Sequence, residues 1–154
     1  MHVAVAGTFG PVHDGHRRLF EHALRFGDEG VTVGLTTNAL AEETRGEPRP
    51  VPTYEERRRG VEKTLESVDR WGRSWTIRPL DDVYGIATEE PAIDGLVVSP
   101  ETATELGAIN DRRRERGFEP LTGIVSPRVL ADDGERLSST RVVAGEVDEH
   151  GRLL

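Results

Sequence analysis

A doubly wound α/β fold, five parallel strands in a single domain spanning residues 1–154, is what this sequence predicts. Three observations predict it. Short apolar runs alternate with longer stretches of helical period, the pattern of a parallel sheet whose strands are joined by helices. The first run passes through a glycine-bearing turn directly into a helical stretch. A chain of 154 residues suits one domain.

Each element has its own signal. Residues 2–6 (His-Val-Ala-Val-Ala) form a short apolar run that fits a buried central strand. Residues 14–26 read as a helix, because Leu19, Phe20, Ala23 and Leu24 fall on one face, and Gly27 follows as a C-cap. Residues 31–35 read as the second strand. Residues 37–52 are polar and carry Pro48, Pro50 and Pro52, which predicts a long functional loop. Thr53-Tyr54-Glu55-Glu56 has the form of a capping box, and Tyr54, Val61, Leu65 and Val68 share a face of the helix it opens. Residues 75–80 and 95–98 read as two further strands. Ser99-Pro100-Glu101 resembles N-cap, first-turn proline and first-turn acid, predicting one helix to about Arg116, ended by Gly117. Residues 121–125 read as the fifth strand, and a short helix follows Ser138. In such a sheet the ligand sits at the carboxyl ends of the strands.

Composition excludes several classes. Leu, Ile, Val and Phe make up about a quarter of the chain, enough for a buried core. The absence of cysteine excludes a disulfide scaffold, a thiolate metal site and a cysteine nucleophile. No apolar run approaches the length of a membrane span, and no signal-peptide pattern precedes the first strand, so the cytoplasm is the expected location. Twenty basic against 28 acidic residues leave a net charge of −8, without the basic excess that a nucleic-acid groove needs. Arg112, Arg113, Arg114 and Arg116 cluster, as expected of a solvated helix C-terminus. Lys63 is the single lysine, and so acidic a lysine-poor surface predicts adaptation to high salt.

The chemistry concentrates in two stretches. The first reads Gly7-Thr8-Phe9-Gly10-Pro11-Val12-His13-Asp14-Gly15-His16, between a strand and a helix. Glycine lets the backbone turn and approach a ligand. Three residues apart on a helical turn, His13 and His16 can aim both rings one way, over helix N-terminal amides that favour an anion. Their N–H groups suit phosphate oxygens. Two histidines could equally be core or surface residues, and H-x-x-H also permits a metal, though no third ligand of suitable spacing is evident. The second stretch is Leu137-Ser138-Ser139-Thr140-Arg141, after the polar turn Asp132-Asp133-Gly134-Glu135. Three hydroxyl residues before Val142 and Val143 suit a helix start, where hydroxyls and amides can collect phosphate oxygens or simply cap.

Together these stretches resemble the HxGH nucleotidyltransferase superfamily, whose first motif is preceded by Gly-Thr-Phe. Its second is Ile-Ser-Ser-Thr followed by x-Ile-Arg. The final basic position of that signature falls on Val143 here, with Arg141 two residues earlier. Further along, Asp82-Val83-Tyr84-Gly85, then Val97 to Thr102, then Ile109-Asn110 with Arg113, and finally Gly145-Glu146-Val147-Asp148, resemble the archaeal and eukaryotic type of phosphopantetheine adenylyltransferase. The resemblance spans about residues 3–151. It implies a Rossmann-like sheet and transfer of AMP from ATP to 4′-phosphopantetheine, giving dephospho-coenzyme A and pyrophosphate. It implies His16, His13 and Arg45 as catalytic residues. ATP would meet Gly7, Thr8, Phe9, His13, His16, Ser138, Ser139, Thr140 and Arg141. Phosphopantetheine would meet Thr8, Thr36, Arg45, Asp82, Tyr84, Ser99, Asn110 and Arg113. Arg57 is expected to fasten its helix. Mg²⁺ would arrive with ATP and need no protein cage. Partners are then small molecules, with neither nucleic acid nor membrane, and a monomer is favoured. Rival readings are a sibling transferase acting on nicotinamide mononucleotide, FMN or a cytidylyl donor, a non-catalytic adenine-nucleotide sensor, and a tRNA-synthetase fragment.

Overall fold

The computed structural model describes residues 1–44 and 49–154. Five strands, β1 (His2–Gly7), β2 (Gly30–Thr36), β3 (Trp75–Leu80), β4 (Gly95–Val98) and β5 (Thr122–Val125), form one parallel sheet in the order β3-β2-β1-β4-β5. Six helices connect and flank them: α1 (Asp14–Phe26), α2 (Asn38–Thr44), α3 (Tyr54–Val68), α4 (Gly85–Glu89), α5 (Leu106–Glu115) and α6 (Ser139–Val143). The chain builds outward from β1 through β2 to β3, then returns across β1 to lay down β4. The strand order therefore reverses between β1 and β4, and a crevice opens there beyond their carboxyl ends.

Alternation along β1 and β4 sends side chains to two cores. Val3, Val5 and Val97 pack with Phe20, Leu24, Val61 and Leu65 of α1 and α3. Ala4, Leu96 and Val98 pack on the other face with Leu40, Ile86 and Ile109. β2 is buried along its whole length, as a strand covered on both faces must be. A third, small cluster joins Ala131, Leu137 and Val147 beneath the C-terminal segment.

Three expectations change. The segment 37–52 is not loop throughout: α2 forms within it, started by Thr37 Oγ1 accepting the Leu40 N–H and anchored by buried Leu40 and Ala41. α4, with five residues, is too short to show a helical period and is held by buried Ile86 and Thr88. Residues 99–116 are not one helix. Ser99 and Thr102 bond each other's backbone N–H, a tight 3₁₀ turn follows over Thr102–Glu105, and only then does α5 begin.

The arginine cluster on α5 is also not a solvated end throughout. Arg113 is fully buried and donates to the carbonyls of Glu119 (2.7 Å), Ala87 (2.8 Å), Glu90 (3.0 Å) and Ile93 (3.1 Å). Arg112 lies over the Tyr84 ring, and Arg116 donates to the Thr88 carbonyl. Asn110 exchanges both amide hydrogen bonds with the Leu121 backbone. These side chains lock α4, α5 and the approach to β5 together.

Candidate active site

The turn after β1 is shaped by its own side chains. Phe9 takes a left-handed backbone conformation, φ 49°, and its ring is buried against Phe20. A Cβ on Gly7 would come within 2.9 Å of that ring, so the strand can end there only in glycine. His13 then caps α1. Its Nδ1 accepts the Gly15 N–H at 3.0 Å, while the His13 N–H donates to Nδ1 of His16 at 3.3 Å. This is a capping box made of two imidazoles, in positions where Ser or Thr and Glu or Gln are usual. Gly15 is required because a Cβ there would lie 2.7 Å from the His13 ring.

The capping bonds settle the tautomers. A nitrogen that accepts an N–H carries no proton, so each ring holds its hydrogen on Nε2 and presents it away from the helix. The rings stack at 3.8 Å between centroids and 26° between planes, and Phe9 braces His16 edge-on. Burial pushes His13 down to about 4, helped by the charge of Arg136. Burial, then His13 and Arg136, hold His16 well below the usual imidazole range. The pair is therefore two neutral N–H donors at neutral pH.

A pH dependence follows with a definite sign. An unfolded imidazole titrates near 6.5 and folded His13 near 4. Between these values the unfolded chain binds the proton and the folded chain does not. The contribution to stability is thus present above about 6.5 and is lost as pH falls toward 4. Thermal unfolding followed from pH 7.5 to 4.5 should show Tm falling with acidification. The fall should be shallower in His13→Asn, which keeps a capping oxygen. An equal slope in the two proteins would remove His13 from the account.

The second motif meets the first from the far end of the chain. Ser139 Oγ donates to the Pro11 carbonyl at 2.7 Å. Arg49 joins both, with Nε on Thr140 Oγ1 (3.1 Å) and Nη1 on the Gly10 carbonyl (3.1 Å). Ser138 caps α6 by accepting the Arg141 N–H. Arg141 does not fill the place of the signature's missing basic residue. Its guanidinium is held by Asp133 and Glu146 and donates to the Arg136 carbonyl. Arg136 lines the same cavity as the histidines, and its charge acts on both rings. Its position immediately before Leu137-Ser138-Ser139-Thr140 was the available signal, since the resemblance directs attention downstream of the serines instead.

Two cavities meet over β1 and β4. One, of about 190 Å³, is lined by Gly7, Phe9, His13, His16, Glu101, Ser126, Arg128 and Arg136 among others. Two buried oxygens on its wall, Glu101 Oε2 and Ser126 Oγ, have no hydrogen-bond partner among the described residues. Arg128 pairs with the other oxygen of Glu101 at 2.5 Å. The second cavity, of about 380 Å³, is lined by Thr8, Thr36, Leu40, Leu80, Val83 and Ile109 among others. Ala6, Gly7, Val97 and Thr102 border both, so the cavities adjoin at the reversal point of the sheet. A larger cavity of about 520 Å³, between α1 and α3, has Arg17 and Lys63 on its wall and neither imidazole.

The expected site residues separate accordingly. Gly7, Phe9, His13 and His16 line the first cavity, with Ser138–Thr140 joined to the same turn through Ser139. Thr8 and Thr36 line the second, and Thr36 Oγ1 donates to Thr8 Oγ1 at 3.0 Å. Ser99 borders the first cavity rather than the second. Asp82 caps its own turn by accepting the Tyr84 N–H, Tyr84 lies beneath Arg112, and Val83 between them faces the second cavity. Asn110 and Arg113 serve the packing of α5 as described and line neither cavity. Arg45 lies outside the described residues.

Residues 4–145 match the model of the cytidylyltransferase-like family. A phosphopantetheine adenylyltransferase of Methanopyrus kandleri is 44% identical over 147 residues, covering 96% of this chain and 90% of the relative. One of Methanosarcina barkeri is 38% identical, covering 98% and 91%. Among solved structures, a protein of unknown function from Archaeoglobus fulgidus superposes with a TM-score of 0.70 at 30% identity, covering 81% of this chain and 88% of the other. The imidazole pair at the end of β1, the reversal of strand order beside it and these likenesses agree: the chain belongs to the cytidylyltransferase-like family, on the branch whose archaeal relatives are named phosphopantetheine adenylyltransferase.

Proposed function

We propose that the protein transfers the adenylyl group of ATP to 4′-phosphopantetheine, forming dephospho-coenzyme A and releasing pyrophosphate. One observation carries this reading beyond the family name: two adjoining cavities meet at the turn that holds the two neutral N–H imidazoles. The polar cavity suits the nucleotide, with Arg136 and Arg128 beside the histidines. The second, lined by Thr8, Thr36 and aliphatic side chains, suits a phosphate carrying a pantetheine arm.

The reaction asks little covalent chemistry of the protein. An acceptor phosphate oxygen, already ionised at pH 7, attacks the α-phosphorus of ATP. A bond forms between that oxygen and phosphorus, the bond to the bridging oxygen breaks, and pyrophosphate leaves with the electron pair. No general base is needed. Catalysis is alignment together with stabilisation of charge spreading over the α-phosphoryl oxygens. In this reading His16 donates Nε2–H to the α-phosphate. His13, Arg136 and the Ser138–Thr140 turn hold the β- and γ-phosphates, and Arg45 is assigned as the cation between the reacting phosphates. A neutral donor suits the α-phosphate, because its hydrogen bond strengthens as charge builds there.

Mg²⁺ belongs to the nucleotide in this proposal. Glu101 is the sole carboxylate among the described residues lining the first cavity and is already paired with Arg128. Each histidine has its Nδ1 occupied by a backbone N–H. These residues do not fit a resident metal, and no step is assigned to one. We place the protein in the cytoplasm as a small-molecule enzyme and monomer, without nucleic-acid or membrane partners. Its acidic, lysine-poor surface fits a concentrated-salt interior. No helix among the described residues is long and apolar enough to cross a membrane.

An acceptor panel tests the proposal. ATP and CTP are each offered with 4′-phosphopantetheine, nicotinamide mononucleotide, FMN and a cytidylyl acceptor, and pyrophosphate release is measured. The expected result is turnover with ATP and 4′-phosphopantetheine at least 100-fold above the other pairs. Preference for another pair would assign the site to that substrate, and binding of ATP without turnover would make the protein a sensor.

A further inference from the structure

We infer that Arg57, which touches no substrate, orients the acceptor pocket for a phosphate monoester through a one-way hydrogen-bond relay, Arg57 to Thr36 to Thr8. The inference rests on the second cavity being the acceptor pocket.

Arg57 sits on the first turn of α3, and only 2% of it is exposed. Its guanidinium pairs with no carboxylate among the described residues. Besides the Tyr54 ring beneath it, its hydrogen-bond partners among the described residues are neutral oxygens: the Pro52 carbonyl (2.9 Å), the Thr8 carbonyl (3.0 Å), Thr36 Oγ1 (3.3 Å) and Asn38 Oδ1 (3.0 Å). A buried cation normally has a counter-charge. Arg57 itself borders the larger cavity between α1 and α3, where Glu56 also lies on the wall, while its Nη1 leads through Thr36 to the second cavity.

The order of the hydroxyls follows from donor counting. Arginine has no acceptor, so Thr36 Oγ1 can only accept from Nη1. Its single proton is then given to Thr8 Oγ1, 3.0 Å away. Thr8 Oγ1 is thereby an acceptor within the protein, and its own proton is left for whatever occupies the cavity that both threonines line. The Thr8 carbonyl, an acceptor that would repel an anion, is also taken by Nη1. The relay thus presents a donor, polarised by a cation behind it, and withdraws an acceptor. A phosphate monoester gains from this arrangement, and an uncharged alcohol gains little.

Calorimetry on the intact chain separates this from a merely structural role. The ligands are 4′-phosphopantetheine, pantetheine and ATP, and the variants are Thr36→Val and Thr36→Ser. The expected result is that Thr36→Val, close in shape but without the hydroxyl, weakens 4′-phosphopantetheine about tenfold or more, the scale of one charge-assisted bond. Pantetheine and ATP should change less than about twofold, and Thr36→Ser should restore most of the loss. Equal weakening of phosphorylated and unphosphorylated ligands, no weakening of either, or no recovery in Thr36→Ser overturns the relay. If Thr36→Val fails to fold, Thr36→Ala enters the same comparison. If the wild-type chain makes no product from 4′-phosphopantetheine, the acceptor reading fails instead. Inorganic phosphate then replaces the acceptor, and the relay stands only if phosphate binds wild type more tightly than Thr36→Val.

Discussion

His16→Ala should lower kcat for adenylyl transfer about 100-fold or more while KM for ATP stays within about twofold. The expectation follows from where the proton sits. His16 Nδ1 is bound to the His13 N–H, so Nε2–H is its one free donor, and burial keeps the ring uncharged. A neutral donor contributes little to holding a tetra-anionic nucleotide in the ground state. It contributes most when negative charge accumulates on the α-phosphoryl oxygens, so its removal falls on kcat. The variant also loses half of the capping box, and this second effect must be separated. His16→Gln does so. Glutamine at this position can still accept the His13 N–H and offer an amide N–H. It should match wild type in Tm and fall between wild type and His16→Ala in rate. Loss of rate and ATP affinity in equal measure would make His16 a binding residue, and an unchanged rate would remove it from the chemistry.

Arg113→Met should cost about 3–5 kcal/mol of stability, a fall in Tm of about 10 °C. The buried guanidinium serves four carbonyls, on Ala87, Glu90, Ile93 and Glu119. Methionine fills much of the volume but takes a donor from all four oxygens, and of these the Glu90 carbonyl still accepts the Ile93 N–H. The resemblance assigns Arg113 to phosphopantetheine, and the two roles predict opposite measurements. A packing role lowers Tm and leaves KM for the acceptor within about twofold in the protein that remains folded. A contact role raises that KM and spares Tm. Chemical denaturation with steady-state kinetics below the lowered Tm decides between them.

The sheet was legible because its strands carry an unmixed signal. β1 is an apolar run that ends in Gly7, β2 one that starts at Gly30, and α1 and α3 place their apolar residues at helical spacing. What escaped was held by single contacts. α2 depends on Thr37 as cap and two buried side chains, and α4 on two more, so neither shows a period. In the candidate site the histidines and serines were legible as residue types. Their arrangement was not: that His13 and His16 cap one another depends on backbone geometry. Arg113 reads as one of four exposed arginines until Glu119 and the α4 carbonyls close over it. Arg141 leaves its expected place for a similar reason, since Asp133 and Glu146 lie where only the fold can bring them.

The bond from Ser139 to the Pro11 carbonyl spans 128 positions of the chain. All five strands are complete by residue 125, so the sheet and the turn that carries both imidazoles are encoded before the segment that closes on them. Arg136 and the serine turn follow later in the chain. A chain cut after the last strand would keep the imidazole pair and lose the hydroxyl that fastens Pro11.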